Sequence, residues 1–248
     1  MKAIITDLDR TLLHTDKSVS EYTINVLKRC REKGILIMTA SARPLRDILV
    51  FNDMIGFDAI TATNGAVVSL PQKKLEFGIS YITGEKILSK ILLYPDIFLS
   101  IETSNGLYSN RDIPIWEPVI WDKFPKIPEN LIPYKIIVSS ENRSIYKNIE
   151  SLLNEDVYYT IANKDLIQIM DKDATKWNGV KHMLTSFNIS PKDAVYFGDD
   201  NDDLEPIINC GLGVAVSNAI PSVLEVADGI TESNDSDGVA KYIENKIL

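Results

Sequence analysis

The chain has 248 residues, which predicts one to two domains and is long enough to bury a full hydrophobic core without disulfides or metals. Hydrophobic residues make up 45% of it and charged residues 25%, a composition that excludes disordered, collagen-like and low-complexity chains. The 35 acidic residues outnumber the 26 Lys and Arg and give a net charge of -9, which repels polyanions and argues against a nucleic-acid partner.

The first 63 residues alternate between strand and helix patterns. Apolar or β-branched runs predict buried strands, and capping residues and glycines bound the helices between them. In chain order we predict a strand over 2–6, a helix from a capping box at Ser18 and Glu21 to Gly34, a strand over 35–39, a helix from Pro44 to about 55, and a strand over 58–63. This order indicates an α/β fold with a doubly wound parallel sheet.

The alternation stops after Asn64-Gly65 and resumes near residue 176. A hairpin over 66–77 is followed by predicted helices over 84–94 and 142–153, the latter capped by Asn142, and strands over 97–102, 106–109, 135–139, 157–162 and 166–170. Residues 110–134 hold five of the eleven prolines, which predicts a loop without regular structure. Helices over 176–187, 202–209, 221–226 and from about 237 then alternate with strands over 194–197 and 213–216. We therefore predict a Rossmann-like core over 1–79 and 171–248, interrupted by an inserted α+β domain over 80–170.

The cysteine content and the lengths of the apolar runs indicate the cellular compartment of the protein. Cys30 and Cys210 are far apart in sequence and neither belongs to a C-x-x-C pair, so we expect two buried free thiols. The N-terminal apolar run meets Asp7 too early for a signal peptide, and no run approaches the roughly 18 apolar residues of a membrane helix. We therefore expect a cytoplasmic protein that does not interact with membranes.

Two acids follow the first predicted strand, in the segment Asp7-Leu8-Asp9-Arg10-Thr11. Ligands of doubly wound sheets bind at the carboxyl ends of the strands, and nothing structural requires acids at this point. The alternative is that Asp9 and Thr11 only cap a turn. The pair on its own is weak evidence for a site.

Four more acids follow the strand over 194–197. They are Asp199, Asp200, Asp202 and Asp203, in the segment Gly198 to Asp203. Packed carboxylates repel one another unless a cation joins them, and hard oxygen ligands of this kind suit Mg²⁺. The alternative is an acidic helix start that the helix dipole favours.

A serine and a lysine also lie at predicted strand ends or helix starts, as the acidic residues do. Ser41-Ala42-Arg43 follows the second strand and precedes the helix opened by Pro44, so a hydroxyl and free N–H groups face the same edge of the sheet. Lys176 stands near a helix start, where a cation interacts unfavourably with the helix dipole. This position indicates that Lys176 has a function; the alternative is an ordinary lysine exposed to solvent. Acids, hydroxyl and lysine together are more specific than any one of them.

In this order the residues resemble the haloacid dehalogenase superfamily of phosphatases, whose motifs are D-x-D-x-T, a Ser or Thr after the second strand, a Lys, and G-D-x-x-x-D. The matching residues are Asp7, Asp9, Thr11, Ser41, Lys176, Asp199 and Asp203. The insertion lies between the hydroxyl and the lysine, and with the Asn64-Gly65-Ala66 turn it is similar to the Cof-type branch, subclass IIB, with a C2B cap. The resemblance implies a cap that closes over the site and selects the leaving group.

The resemblance also implies a role for each residue. Asp7 attacks phosphorus to form an aspartyl-phosphate, and Asp9 protonates the leaving alcohol and then activates water. The implied substrate-binding residues are Leu8, Ser41, Ala42, Lys176 and Asp202. The implied Mg²⁺ ligands are Asp7, the main-chain carbonyl at Asp9, Asp199 and Asp203. The alternative role of Asp203 is to anchor Lys176.

Three residues depart from the family pattern. Arg10 and Ala42 stand where glycine is usual, and Asp202 stands where an asparagine often touches phosphate. A further anion beside phosphate is unfavourable unless it turns toward a metal or solvent. The phosphate-binding role of Asp202 is therefore the weakest of these assignments.

The expected function is that of a Mg²⁺-dependent phosphatase of small phosphorylated metabolites, such as a sugar phosphate or phosphoglycolate, acting as a monomer or homodimer. A phosphomutase of the same superfamily would use the same two acids, and a non-catalytic protein would bind the phosphorylated metabolite without turnover. A receiver-like signalling protein also phosphorylates an aspartate on a doubly wound sheet, but it is much shorter and has no insertion.

Overall fold

A computed structural model describes residues 1–114, 116–141, 143–162 and 165–248. The chain folds into two compact units, one formed by Met1–Leu75 with Thr175–Leu248 and the other by Glu76–Ala174. The predicted insertion over 80–170 lies inside the second unit, which extends slightly beyond it at both ends. Within the described ranges, no helix has both the length and the apolar character needed to cross a membrane.

The first unit is built on an eight-stranded sheet. Its strands are β1 (Ala3–Thr6), β2 (Leu36–Ala40), β3 (Ala59–Ala62), β4 (Val67–Leu70), β5 (Lys73–Glu76), β12 (Ala194–Gly198), β13 (Leu212–Val216) and β14 (Gly229–Thr231), and its helices are α1 (Glu21–Glu32), α2 (Leu45–Ile55), α5 (Lys176–Ser186), α6 (Leu204–Asn209), α7 (Pro221–Val226) and α8 (Gly238–Lys246). The strand order is β14-β13-β12-β1-β2-β3-β4-β5, parallel from β14 to β3 and antiparallel between β3 and β4. The predicted doubly wound α/β fold is confirmed.

Strand β1 lies where the strand order reverses, between β12 and β2. Its sequence Ala-Ile-Ile-Thr is buried at every position, because parallel neighbours pair along both of its edges. A strand that is covered on all sides carries an unbroken apolar run rather than alternating polarity. The reversal point is also where doubly wound sheets form their ligand crevice, so the residue that follows β1 is placed at that crevice.

The start of α1 differs from the prediction. Ser20, and not Ser18, is the N-cap, because the Ser20 hydroxyl accepts the Thr23 N–H at 3.0 Å. The Ser18 hydroxyl instead donates to Asp16 Oδ1 at 2.6 Å. The predicted end of α2 at Gly56 is confirmed, since this glycine takes the left-handed conformation that closes a helix at low conformational cost.

The second unit is a six-stranded sheet with two helices. Its strands are β6 (Ile97–Thr103), β7 (Gly106–Ser109), β8 (Val119–Ile120), β9 (Pro133–Ser140), β10 (Val157–Ala162) and β11 (Leu166–Asp171), in the order β10-β11-β9-β6-β7-β8, and its helices are α3 (Tyr81–Ile91) and α4 (Ser144–Leu152). Alternate residues of β6, β9 and β11 pack with α3 and α4 in one apolar cluster. The segment 110–134 is not wholly irregular as predicted, because β8 pairs with β7. The predicted helix cap Asn142 lies outside the described residues.

Thr61 generates a stability prediction. Its Oγ1 is the one fully buried side-chain polar atom without a hydrogen-bond partner among the described residues. Thr39 is equally buried, but its hydroxyl donates to the Thr6 carbonyl at 2.8 Å. Burying an unpaired hydroxyl costs free energy, so Thr61→Val is expected to raise the free energy of unfolding by about 1 kcal/mol, and the matched control Thr39→Val to lower it by about 1 kcal/mol. Urea denaturation measures both, and equal destabilisation by the two variants would contradict the assignment.

Candidate active site

The carboxyl ends of three neighbouring strands carry the polar residues singled out in the sequence. Asp7 follows β1, Ser41 follows β2, and Asp199 follows β12. The three strands are parallel and adjacent, so these residues share one edge of the sheet. Lys176, the first residue of α5, reaches the same edge because its Nζ donates to Asp7 Oδ1 at 2.8 Å.

The chain makes a wide turn immediately after Asp7. The Leu13 N–H donates to the Leu8 carbonyl at 2.8 Å and closes the turn, inside which Arg10 has the left-handed conformation with φ 60° and ψ 8°. The turn directs the hydroxyl of Thr11 to Asp199 Oδ1 at 2.8 Å. The two acidic motifs are therefore joined by a buried hydrogen bond, although they lie far apart in sequence.

Lys176 is surrounded by three carboxylates. Besides Asp7, its Nζ lies 2.7 Å from Asp203 Oδ1 and 3.1 Å from Asp202 Oδ1, and its side chain is almost fully buried. Burial lowers the pKa of Lys176, but the three carboxylates outweigh burial and raise it well above its usual value. Lys176 is therefore a permanent cation in an otherwise acidic site, and the alternative of a solvated lysine is wrong.

The start of α5 is held close to the turn after β3. Gly65 has φ +112°, and a Cβ atom on it would lie 2.1 Å from the Thr175 carbonyl oxygen. A side chain at this position would push away the residue that precedes Lys176. Glycine at position 65 therefore permits the approach that brings Lys176 to the strand ends.

Asp203 has all of its oxygen atoms engaged. Oδ1 accepts from Lys176 and from the Tyr196 hydroxyl at 2.6 Å, while Oδ2 accepts the N–H groups of Asp199 at 3.0 Å and Asp200 at 3.1 Å. Tyr196 carries no sequence signal of a functional role, because it lies in the middle of an apolar strand and only its hydroxyl distinguishes it from the core. Four donors on one carboxylate indicate an anchor for Lys176.

Asp7 and Asp199 have carboxylate oxygens that could bind a divalent cation. Oxygens of Asp7, Asp199 and Asp203 lie within 4.8 Å of one another, and all three residues are buried. Among the described residues, no hydrogen bond reaches Asp7 Oδ2 or Asp199 Oδ2, whereas Asp203 is fully engaged. Close, buried carboxylate oxygens are the donor set of a hard cation such as Mg²⁺. Asp7 and Asp199 therefore fit a metal better than Asp203 does.

Burial and mutual repulsion raise the pKa values of two of these carboxyl groups. Burial raises the pKa of Asp7 well above its usual value; the ammonium of Lys176 opposes this increase, and the neighbouring carboxylates add to it. Burial and the Asp203 carboxylate raise the pKa of Asp199 to about 7. A bound divalent cation would stabilise the ionised forms of Asp7 and Asp199 and would therefore lower the pKa values of both.

Asp9 lies in a different environment. Its two oxygens accept from Arg43 Nε at 2.6 Å and Nη2 at 2.7 Å, and Lys17 Nζ donates to Oδ1 at 2.7 Å. Burial raises the pKa of Asp9, but these hydrogen bonds outweigh it and lower the pKa to about 2. The Asp9 carboxylate does not belong to the cluster that could hold a metal. Its predicted role as a metal ligand through the main-chain carbonyl stays a prediction.

The other predicted substrate-binding residues are placed as follows. Ser41 is buried and its hydroxyl accepts the Arg43 N–H at 3.2 Å, whereas Ala42 is exposed. The Leu8 side chain is fully buried, so only its main-chain groups are available to a substrate. Asp202 contacts Lys176 and accepts from Asn64 Nδ2 at 2.8 Å, and its side chain remains 24% exposed.

Comparison with known proteins identifies relatives over the whole chain. The family described as haloacid dehalogenase-like hydrolase matches residues 4–243. The candidate phosphatase YxeH of Bacillus subtilis (strain 168) is 28% identical over 268 residues, covering 100% of this chain and 98% of YxeH. The 5-amino-6-(5-phospho-D-ribitylamino)uracil phosphatase YitU of the same organism is 24% identical, covering 97% of this chain and 96% of YitU.

Solved structures share the fold. A haloacid dehalogenase-like hydrolase from B. subtilis superimposes with a TM-score of 0.87 at 20% identity, covering 100% of both chains. The subclass IIB sugar phosphatase BT4131 superimposes with a TM-score of 0.81 at 18% identity, covering 98% of both chains. At these identities the likeness concerns the fold, including the predicted α/β core with its insertion.

The raised pKa of Asp199 predicts how Mg²⁺ stabilises the protein. Because the folded-state pKa lies above the ordinary value of 3.8, the stability contributed by Asp199 is fully present below that value and is lost progressively as the pH rises to about 7. Mg²⁺ binds the ionised form and offsets that loss. We therefore expect Mg²⁺ to raise the melting temperature more near pH 8 than near pH 6, measured by differential scanning fluorimetry.

Two variants test this pH dependence. Asp199→Asn is expected to abolish the Mg²⁺-induced shift at both pH values, because the amide cannot replace the anionic ligand. Asp200→Asn removes an equal charge from an exposed neighbour and is expected to keep the shift. An equal Mg²⁺ effect in all three proteins would contradict the assignment of Asp199.

Proposed function

Because the chain belongs to the haloacid dehalogenase-like hydrolase family, we propose that it is a Mg²⁺-dependent phosphatase that hydrolyses small phosphorylated metabolites through an aspartyl-phosphate on Asp7. The observation that carries the proposal is the pairing of Asp7 with Lys176 at 2.8 Å, inside a cluster of buried carboxylates at the end of β1. A carboxylate nucleophile needs positive charge beside it to approach an anionic phosphate ester.

The chain's own residues divide the chemistry between them. Asp7 attacks phosphorus through one of its carboxylate oxygens, and the bond from phosphorus to the ester oxygen breaks. Lys176 and the Ser41 hydroxyl bind the phosphoryl oxygens, because Lys176 is a cation at this edge of the sheet and the hydroxyl, which accepts from Arg43, still has its proton to donate. Water then hydrolyses the phosphoaspartate, which releases inorganic phosphate and regenerates Asp7.

Asp9 is proposed to move protons at the ester oxygen and at the attacking water. Held by Arg43 and Lys17, it is ionised at neutral pH, which is the form that accepts a proton from water. Its action as an acid on the leaving alcohol requires release from these two partners and the uptake of a proton from solvent. The bidentate contact with Arg43 is therefore a contact that the catalytic cycle must break and restore.

Mg²⁺ is the proposed cofactor, with Asp7 and Asp199 as its side-chain ligands and Asp203 as the anchor of Lys176. When bound, the metal supplies positive charge that reduces repulsion between Asp7 and the phosphate ester. The proposed location is the reducing cytoplasm, as monomer or homodimer, and the two unpaired buried cysteines favour such a compartment.

Phosphate release from an aryl phosphate and a panel of phosphorylated metabolites tests the function. We expect turnover that requires Mg²⁺, is lost in EDTA, and falls by at least about 10³-fold in Asp7→Asn, because the amide is not a nucleophile. Asp193→Asn, which neutralises an exposed carboxylate elsewhere, serves as the control. A folded protein that releases no phosphate from any ester would overturn the proposal, and isomerised sugar phosphates in the product analysis would indicate a mutase.

Asp202 is expected to limit the affinity for phosphate. It lies 3.1 Å from the Lys176 ammonium and adds a negative charge where the phosphoryl group would bind. Asp202→Asn is expected to lower the inhibition constant of inorganic phosphate by about fivefold to tenfold, since one competing charge is removed and an amide can still pair with Asn64. Asp200→Asn is the matched control. Weaker phosphate inhibition in Asp202→Asn would show that the carboxylate assists phosphate binding.

A further inference from the structure

Arg10 has a backbone conformation that favours glycine. Its φ of 60° and ψ of 8° lie in the left-handed region, where a side chain costs conformational free energy. It lies inside the turn between Asp9 and Thr11, at a position that needs no side chain to close the turn. A residue kept in an unfavourable conformation at a functional site indicates that its side chain has a use there.

Asn218 holds Arg10 at both ends. Asn218 Nδ2 donates to the Arg10 carbonyl at 2.8 Å, and Arg10 Nη2 donates to the Asn218 carbonyl at 3.1 Å. Asn218 is itself fixed, because its Oδ1 accepts the N–H of Asn234 at 3.0 Å. The guanidinium is therefore held in one place although its side chain is 56% exposed.

The guanidinium faces Asp199. Arg10 Nε lies 3.8 Å from Asp199 Oδ2, which is too long for a hydrogen bond but close enough for a direct charge interaction. Thr11 engages the other oxygen of Asp199, so the oxygen next to Arg10 is the one open to a cation. Arg10 and a metal on Asp199 would thus compete for the same negative charge.

We propose that Arg10 is a resident counter-cation of Asp199 that weakens the binding of divalent cations at Asp7 and Asp199. It neutralises part of the charge of Asp199 when no metal is bound, and it repels an arriving dication. The metal assignment rests on the proposed function, whereas the effect of Arg10 is read from binding and not from turnover. The affinity of the site for Mg²⁺ is accordingly a property of this chain's Arg10 as well as of its carboxylates.

Isothermal titration of the full-length protein with Mg²⁺, without substrate, tests the proposal. Arg10→Gln removes the charge and keeps an amide donor for the Asn218 carbonyl, and we expect it to bind Mg²⁺ about tenfold more tightly than the unchanged protein. Arg10→Lys keeps the charge and is expected to retain the original affinity. Lys2→Gln removes one positive charge from the opposite end of β1 and controls for net charge.

The outcomes separate this proposal from the proposed function. Unchanged or weaker Mg²⁺ binding in Arg10→Gln, an equal gain in Lys2→Gln, or no Mg²⁺ binding by any of the proteins would overturn the role of Arg10. Arg10→Met provides a second uncharged side chain if the glutamine variant does not fold. Turnover by the unchanged protein is measured in a separate assay. If the protein proved not to be a phosphatase, the effect of Arg10 on Mg²⁺ affinity would still be measurable.

Discussion

The ion pairs of Lys176 are the interaction on which the rest of the site depends. One buried ammonium compensates Asp7, which follows β1, and Asp202 and Asp203, which lie in the short turn after β12. Carboxylates packed this closely would be protonated or pushed apart without it. The placement of α5 against the turn at Gly65, the full burial of β1 and the anchoring of Asp203 all serve to bring this charge to the carboxyl ends of the strands.

The acids differ in what surrounds them, and this difference gives each a separate use. Asp203 has four donors and is structural, whereas Asp7 and Asp199 each keep one oxygen open beside the other. Asp9 is paired with two cations and stays ionised, apart from the cluster. Environment rather than residue type therefore distinguishes the four aspartates and underlies the separate roles that we propose for them.

Much of the fold and part of the site could be predicted from the sequence, because both depend on local patterns. Unbroken apolar runs identified β1 and β12, and the acids directly after them had to meet at one edge of a parallel sheet. Tyr196, Lys17 and the Asn64 contact with Asp202 could not be predicted in this way, since each depends on where a side chain ends after long-range packing. The choice of Ser20 over Ser18 as N-cap likewise depended on whether Asp16 engaged the earlier serine.

Asp7 and Lys176 are far apart in sequence, which affects when the candidate site can form during synthesis of the chain. Asp7 leaves the ribosome early, but the lysine that compensates its charge follows 169 residues later. The amides that clamp the turn around Arg10 and Leu13 come later still, at Asn218 and Asn234. Until then the turn after β1 has its local hydrogen bond from the Leu13 N–H to the Leu8 carbonyl but none of these long-range contacts, while the intervening unit Glu76–Ala174 already has the residues of its own core. The candidate site therefore cannot complete these contacts until nearly all of the chain has been made.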